Sequence, residues 1–420
     1  MDRIQVRGGR RLKGEVTVEG AKNAALPILL AALLTPERCT FRNVPRVVDV
    51  RTTLRLLANL GVRVDDGDGA ITVQAERLAR LEAQYELVKT MRASFLALGP
   101  LVARFGRARV STPGGCAIGS RPVDLHLEGL QKLGARVRIV HGYVEAEAEK
   151  LHGTRLSLDF PSVGATEHLM MVATLADGTT TIENAAREPE VVDLAQALTA
   201  MGAKISGAGE AAITIDGVAS LHGVDFTIIP DRIEAGTFMM AAAISGGDVM
   251  VRGARSDHLQ AVILKLREAG VEVQEGDDSL RVIGNGRLRS VDVKTMPHPG
   301  FPTDLQAQMM AALALADGRS VISETIFDNR FMHVLELNRM GAEIKIEGNA
   351  AIIRGVATLS GAPVMATDLR ASVCLVLAGL AAEGMTDVQR VYHLDRGYAR
   401  IEEKLSALGA DVRRVKEARG

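Results

Sequence analysis

The chain of 420 residues contains no tryptophan, and aromatic side chains make up only 3% of it. A core of ordinary size must therefore be aliphatic, built from Ala, Leu, Val and Ile, which fits a hydrophobic content of 47%. Three cysteines, far apart, cannot make a disulfide framework, and the composition reads as a soluble protein of a reducing cytoplasm. The longest clean apolar run covers residues 24–34, far short of the roughly 20 residues that cross a bilayer. "MDRIQVRGG" lacks the apolar stretch of a signal peptide. Lys and Arg (50) nearly balance Asp and Glu (51), so no basic field points to nucleic acid, and an anionic ligand needs a local group of cations. There is no His-x-x-x-His, no Cys-x-x-Cys, no phosphate-binding Gly-x-x-x-x-Gly-Lys-Ser/Thr and no Gly-x-Ser-x-Gly.

What the chain does contain is a repeat. "LGVRV", "LGARV", "MGAKI", "AGVEV", "MGAEI" and "LGADV" place Gly61, Gly134, Gly202, Gly270, Gly341 and Gly409 at steps of 68 to 73 residues. Each follows an amphipathic stretch and precedes an alternating one, the pattern of a helix, a glycine in the left-handed cap position and a strand. Between these lie apolar helix ends that turn into strands, such as "VATLADGTTTI" and "AALALADGRSVI". Each of six units of about 70 residues thus holds an almost wholly apolar helix, a strand, an amphipathic helix and one or two further strands. The apolar helix is expected to be buried and the amphipathic one to cover it. Three units per domain in pseudo-threefold array are expected, with a solenoid as the alternative. The domain boundary is expected at "TIIPDRIEAG", between residues 229 and 230. Gly207-x-Gly209 and Gly284-x-Gly286 follow strands, open no helix and read as hairpin turns.

Departures from the repeat gather just before the two kinds of helix. Before the apolar helices stand Lys22-Asn23, Arg92, "SVGAT" from Ser162, Asp231-Arg232, Asp304 and Arg370. Before the amphipathic ones stand Arg46, the segment from Cys116 to Arg121, Glu188, "ARSD", Arg330 and Arg396. Helix N-termini favour anions, and arginine forks bind phosphate or carboxylate at two points. Several cations at equivalent places favour a binding cleft for small anions, although one arginine alone would read as a solvated face. Asp304 reads either as a helix cap or as a carboxylate able to take a hydroxyl proton. Glu188 reads as a helix N-terminal carboxylate, and Asp231-Arg232 as the mark of a hinge after Pro230. Cys39 in "CTF" reads as an inward strand residue and Cys374 in "ASVCLVLAG" as core. Cys116 lies in "PGGCAIGSRP", where no periodic face exists to bury it. It is either an inert loop thiol or a reactive one whose thiolate Arg121 would stabilise, on a loop that glycines let close.

"EGAKNAALPILLAALL", "YELVKTMRASFLALGPLVARFG", "PGGCAIGSRPVDLHLEGL", "SVGAT", "IENAAREPEVVDLA", "PHPGFPTDLQAQ", "FDNRFMHVLELNRMGA", "ATDLRAS" and "HLDRGYARIEEKL" occur in that order along the whole chain. Together they resemble the UDP-N-acetylglucosamine 1-carboxyvinyltransferase family of the EPSP synthase superfamily. The resemblance implies an α/β fold, an inside-out α/β barrel of six βαβαββ repeats in two domains. One domain would span residues 22–229 and the other residues 1–21 with 230–420, with the active site in the cleft between them and closure on binding the sugar nucleotide. It implies transfer of the enolpyruvyl group of phosphoenolpyruvate to the 3-hydroxyl of UDP-N-acetylglucosamine with release of phosphate, the first committed step of peptidoglycan synthesis. Composition and motifs call for no metal, no nucleic acid and no membrane, and no cofactor and no obligate protein partner are expected.

Carried onto this chain, Cys116 is the expected proton donor, able to form a covalent adduct with phosphoenolpyruvate and to be alkylated by fosfomycin. Asp304 is the expected base at the sugar hydroxyl, and Lys22 and Arg396 complete the catalytic group. Lys22, Asn23, Arg121, Arg330, Arg370 and Arg396 match phosphoenolpyruvate positions. Asn23, Arg92, Arg121, Pro122, Val123, Asp124, Leu125, Ser162, Val163, Gly164, Asp304 and Ile326 match sugar-nucleotide positions. Two positions depart from the pattern: Val48 and Phe160 stand where some members carry lysine, and Arg46 is placed to replace the first in part. The sister activity, transfer to shikimate 3-phosphate, is the enzymatic rival, and a catalytically silent sugar-nucleotide binder is the non-enzymatic one.

Overall fold

The computed structural model describes residues 2–67, 69–89, 91–113 and 123–416. Cys116, Arg121 and Pro122 lie outside the described residues. The chain divides into two compact units. One comprises Met1–Glu19 with Pro230–Gly420, and the other comprises Gly20–Gly115 with Arg121–Ile229.

Among the described residues there are six four-stranded sheets, three in each unit, all with one pairing pattern. An edge strand runs parallel to a first inner strand; the second inner strand is antiparallel to the first, and the last edge strand is antiparallel to the second. In the Gly20–Ile229 unit, for example, Arg155–Ser157 lies parallel to Thr179–Glu183, which pairs antiparallel with Ala212–Asp216, and that with Lys204–Ser206. The apolar helix Val163–Ala173 supplies the crossover between the two parallel strands, which a tight turn cannot make. In the three repeats that are continuous in the chain the order is therefore strand, apolar helix, strand, amphipathic helix and a hairpin, one strand more than the periodicity of the sequence discloses.

That extra strand closes each unit. Asp225–Thr227 lies parallel to Arg38–Arg42, so the end of the Gly20–Ile229 unit completes its first sheet. In the other unit Arg3–Arg7 enters between Met385–Gln389 and Asp411–Val415, and Lys13–Thr17 lies beside Asp248–Arg252.

The apolar helices sit where their sequences demand. In the first unit Arg232–Ser245, Gln306–Leu313 and Leu369–Ala381 pack on one another, and Phe238, Met310 and Leu375 are fully buried. In the second, Lys22–Ala31 buries Ile28, Leu29 and Leu30 completely. Each such side chain contributes on the order of 1.5–3 kcal/mol. Amphipathic helices show one buried stripe: Val48–Asn59 buries Val50, Thr53, Leu56 and Leu57 at three- and four-residue spacing. The six repeat glycines all lie one residue past a helix C-cap with φ between +92° and +103°, the left-handed stop read from the sequence. Gly217 and Gly355 occupy equivalent places after the last strand of a repeat. A Cβ there would lie 1.6 Å from the Ala176 carbonyl oxygen or 1.7 Å from that of Ala316, so only glycine lets strand end and helix end meet.

Three readings need correction. Gly207 and Gly209 do turn a hairpin between Lys204–Ser206 and Ala212–Asp216. Gly284 and Gly286 do not, because the strand after them, Val293–Lys294, joins a different sheet. Asp231 is a helix cap rather than a bare hinge mark: its carboxylate accepts from the backbone N–H of Ile233 at 2.8 Å and of Glu234 at 3.2 Å. The solenoid alternative falls, because strands from opposite ends of each unit share sheets.

Candidate functional site

In the Gly20–Ile229 unit, Lys22 is the first residue of helix Lys22–Ala31, and Asn23 the second. The Lys22 ammonium donates to Asp49 Oδ2 at 3.1 Å, with side chains only 12% and 4% exposed. Asp49 lies in the first turn of Val48–Asn59, so two helix N-termini meet there. In the sequence Asp49 is indistinguishable from a solvated helix-end carboxylate.

In the same unit, several of the residues that the resemblance matches to the sugar nucleotide converge around a residue the sequence reading passed over. His126, on the buried face of Asp124–Lys132, stacks edge-to-face on Phe95 at 5.5 Å between ring centroids and lies 5.1 Å from the His168 ring. Burial, with His168 and Arg92 nearby, holds its pKa well below the ordinary histidine value, so the imidazole is neutral. Burial likewise pushes His168 down to about 3. Gly164 brings the helix Val163–Ala173 against His126: a Cβ there would touch its Cε1 at 3.5 Å. Ser162 caps that helix, its hydroxyl accepting from the Ala165 N–H at 3.3 Å. Arg92, Asp124, Leu125, Ser162, Val163 and Gly164 thus lie on three segments gathered at one imidazole, with Val123 at the N-cap of the His126 helix. A lone histidine at helical spacing carries no signal of this in the sequence.

Of the two departures, Phe160 is exposed and Val48 half-buried. Arg46 binds the Asp66 carboxylate and donates to the Gly67 carbonyl at 3.1 Å. Glu188 occupies the N-cap of Pro189–Ala200 but makes no side-chain cap bond.

In the other unit the structure brings Asp304, Arg330 and Arg370 together. Asp304 Oδ1 accepts from Arg330 Nη2 at 2.7 Å, and Oδ2 accepts from Arg370 Nη2 at 2.5 Å. The guanidinium side chains are 6% and 7% exposed, and the carboxylate 25%. Burial alone would raise the Asp304 pKa, but the charges and hydrogen bonds of Arg370 and Arg330 outweigh it and hold the carboxyl well below its ordinary range. The capping reading of Asp304 fails, since the turn Thr303–Leu305 shows no side-chain cap bond and both carboxylate oxygens are engaged by arginine. Arg370 Nη1 also donates to the fully buried Tyr398 hydroxyl at 3.3 Å, which exchanges a 2.8 Å hydrogen bond with Thr237.

Arg396 ends the turn Val391–Arg396, half-buried. The following Gly397 packs against Leu369 at the start of the Arg370 helix. Ile326 is half-buried, and its N–H donates to Glu324 Oε1 at 2.8 Å. Cys39 and Cys374 are buried free thiols, as read from the sequence; burial raises the pKa of both, Cys39 to about 11, so neither is poised to react.

The EPSP synthase (3-phosphoshikimate 1-carboxyvinyltransferase) family profile matches residues 6–405. UDP-N-acetylglucosamine 1-carboxyvinyltransferase from Trichlorobacter lovleyi is 58% identical over 418 residues, 99% of this chain and 100% of that one. The enzyme of the same name from Geotalea uraniireducens is 57% identical over 417 residues, with the same coverage. The chain belongs to the UDP-N-acetylglucosamine 1-carboxyvinyltransferase family, within the EPSP synthase family. Among solved structures it is similar to the enolpyruvyl transferase NikO from Streptomyces tendae, at TM-score 0.90 and 28% identity over 99% of each chain. EPSP synthase from Acinetobacter baumannii shares the fold, at TM-score 0.78, 18% identity and 99% and 100% coverage of the two chains. The family's inside-out α/β architecture matches the six mixed sheets described above. No helix of the described residues is long and apolar enough to cross a membrane.

Proposed function

We propose that the protein transfers the enolpyruvyl group of phosphoenolpyruvate to the 3-hydroxyl of UDP-N-acetylglucosamine, releasing phosphate, as the first committed step of peptidoglycan synthesis. In this reading it works in the cytoplasm, in keeping with its free thiols, and takes no cofactor. The observation that carries the reading is the Asp304 carboxylate held ionised between two buried arginines, in a chain 58% identical to a carboxyvinyltransferase over its whole length.

The chemistry proceeds by addition and elimination. Asp304 takes the proton of the sugar 3-hydroxyl as its oxygen bonds to the central carbon of the enol. The Cys116 thiol gives a proton to the methylene carbon, which becomes a methyl group. In the elimination a methyl proton of the adduct returns to the Cys116 thiolate while phosphate leaves with the proton that Asp304 took, which restores the double bond in the product ether and both groups to their starting states. Cys116 attacking the same carbon accounts for a covalent phosphoenolpyruvate adduct. Lys22, Arg121 and Arg396 hold the phosphate; Asn23, Arg330 and Arg370 complete the phosphoenolpyruvate contacts. Arg92, the run from Arg121 through Pro122, Val123, Asp124 and Leu125, Ser162, Val163, Gly164 and Ile326 hold the sugar nucleotide, with Asn23 and Asp304 shared.

A carboxylate neutralised by two cations is a weak base. An anionic substrate that draws Arg330 or Arg370 toward itself weakens their hold on Asp304 and raises its basicity. Binding of phosphoenolpyruvate thereby prepares the base it needs. The test is phosphate release from phosphoenolpyruvate with UDP-N-acetylglucosamine, and its loss in Asp304→Ala; release that persists in that variant removes Asp304 from the mechanism.

A further inference from the structure

Glu324 carries a carboxyl group in a residue only 2% exposed. Its carboxylate is fully used. Oε1 accepts from the Thr295 hydroxyl at 2.9 Å and from the N–H groups of Ile326 at 2.8 Å and Phe327 at 3.3 Å. Oε2 accepts from the Thr303 hydroxyl at 2.8 Å. Thr303 precedes Asp304, and its oxygen also lies 3.0 Å from Arg330 Nη1. Arginine can only donate, so Thr303 must accept from Arg330 and spend its own proton on Glu324. The direction of every bond is thereby fixed: Arg330 to Thr303, Thr303 to Glu324, while the other arm of the same guanidinium reaches Asp304. The Phe327 ring stacks on the guanidinium, 5.0 Å from its carbon.

We propose that Glu324 and Thr303 are positioning residues, a hydroxyl relay that sets the Arg330 fork against Asp304 and ties that setting to the backbone at Ile326. The inference rests on the proposed role of Asp304 as base and of Ile326 in holding the sugar nucleotide. One buried carboxylate then serves two tasks. Through Thr303 it orients the cation beside the base; through two N–H groups it shapes the segment next to the nucleotide. In Thr303→Val the shape is kept and the relay is cut, so only the first task fails. In Glu324→Gln one oxygen gives way to an N–H donor: facing Thr303 it leaves that hydroxyl's proton without its acceptor, facing residues 326 and 327 it opposes their N–H groups, and an amide shared between the two orientations weakens both tasks.

The experiment combines steady-state phosphate release with titration of the Asp304 carboxyl by 13C NMR of aspartate-labelled full-length protein, the resonance assigned by its loss in Asp304→Asn. Circular dichroism first establishes that each variant is folded at the assay temperature. Thr303→Val is expected to lower kcat by about 10- to 100-fold, because an Arg330 fork that is no longer held loses its place beside phosphoenolpyruvate even as Asp304 becomes more basic, with KM for UDP-N-acetylglucosamine within about threefold of wild type. Thr303→Ser should restore kcat to within about threefold, and Glu324→Gln should lower kcat and raise that KM together. The Asp304 midpoint should rise by at least about half a pH unit, a threefold change in its proton affinity, in Thr303→Val and Glu324→Gln but not in Thr303→Ser. An unmoved midpoint in Thr303→Val, or a serine variant as impaired as the valine one, overturns the relay. A wild-type protein that releases no phosphate overturns the functional reading instead, and the carboxyl midpoint still decides the relay.

Discussion

Asp304→Asn removes one negative charge from between two arginines and leaves the side-chain volume unchanged. Its magnitude follows from the geometry. Both guanidinium groups are nearly excluded from water, and each gives the carboxylate a charge-assisted hydrogen bond, at 2.7 and 2.5 Å. The amide offers one oxygen for two donors and turns an N–H pair toward the second arginine. Breaking a buried ion pair from one side costs about 3–5 kcal/mol. The carboxylate's own exposure of 25% lets water relieve part of this, so about 2–4 kcal/mol is expected. In a unit of about 200 residues, where 1 kcal/mol moves Tm by about 2–4 °C, the corresponding transition should fall by roughly 5–15 °C. The pH dependence carries a sign. The Asp304 pKa is depressed by folding, so the stabilisation is fully present above the ordinary carboxyl value near 4 and is lost only as pH falls through the lower folded value. The difference in Tm between wild type and variant, measured by calorimetry, should therefore be flat from pH 5 to pH 8. A Tm within about 2 °C of wild type would refute the account of Asp304 as the anchor of two buried cations, and a difference that vanishes as pH falls from 8 to 6 would refute the depressed pKa.

Other expectations follow from the same geometry and from the proposed role of Cys116. Cys116→Ala should abolish phosphate release, while Cys116→Asp should keep part of it and escape fosfomycin, because a carboxyl can donate a proton but resists epoxide alkylation; covalent inactivation of Cys116→Asp, read by mass spectrometry, would point to another target. Lys22→Gln should raise KM for phosphoenolpyruvate at least about tenfold and leave the Kd of UDP-N-acetylglucosamine within about twofold, as the loss of one phosphate contact requires; equal effects on both ligands would contradict that assignment. His168, buried and neutral, favours the folded state less as pH drops below the unfolded value near 6.5, by about 1.4 kcal/mol per pH unit. His168→Leu should accordingly flatten the fall of Tm between pH 6 and pH 4.5, and an unchanged slope would show that His168 is already protonated there. Gly355→Ala forces a Cβ onto the Ala316 carbonyl and should destabilise its unit by about 1–3 kcal/mol; a neutral substitution would show that the close approach is not needed.

The repeat was legible because its marks are local: a left-handed glycine such as Gly202 and an apolar helix end such as that before Gly178 announce themselves within a dozen residues. The strands that close each unit were not, because Arg3–Arg7 and Asp411–Val415 are neighbours only in space. The same division holds at the site. Helix N-termini led to Lys22, Arg330 and Arg370, but Asp304 read equally well as a cap. Its partners lie 26 and 66 residues onward, and no spacing rule joins them. Asp49, His126 and Tyr398 drew no reading from the sequence, because nothing in their spacing distinguishes them from a solvated acid, a core imidazole and a core phenol. Only burial and contact with a neighbouring charged group or ring set them apart. Arg46, which the sequence offered in place of a missing lysine, is engaged with Asp66 on the strand Arg63–Gly67.

The central claim is the acceptor and the reaction. Purified protein incubated with phosphoenolpyruvate should release phosphate when UDP-N-acetylglucosamine is added and should give the enolpyruvyl ether of the sugar nucleotide by mass spectrometry. Phosphate release with shikimate 3-phosphate and none with the sugar nucleotide, or binding of the sugar nucleotide with no turnover, would contradict it.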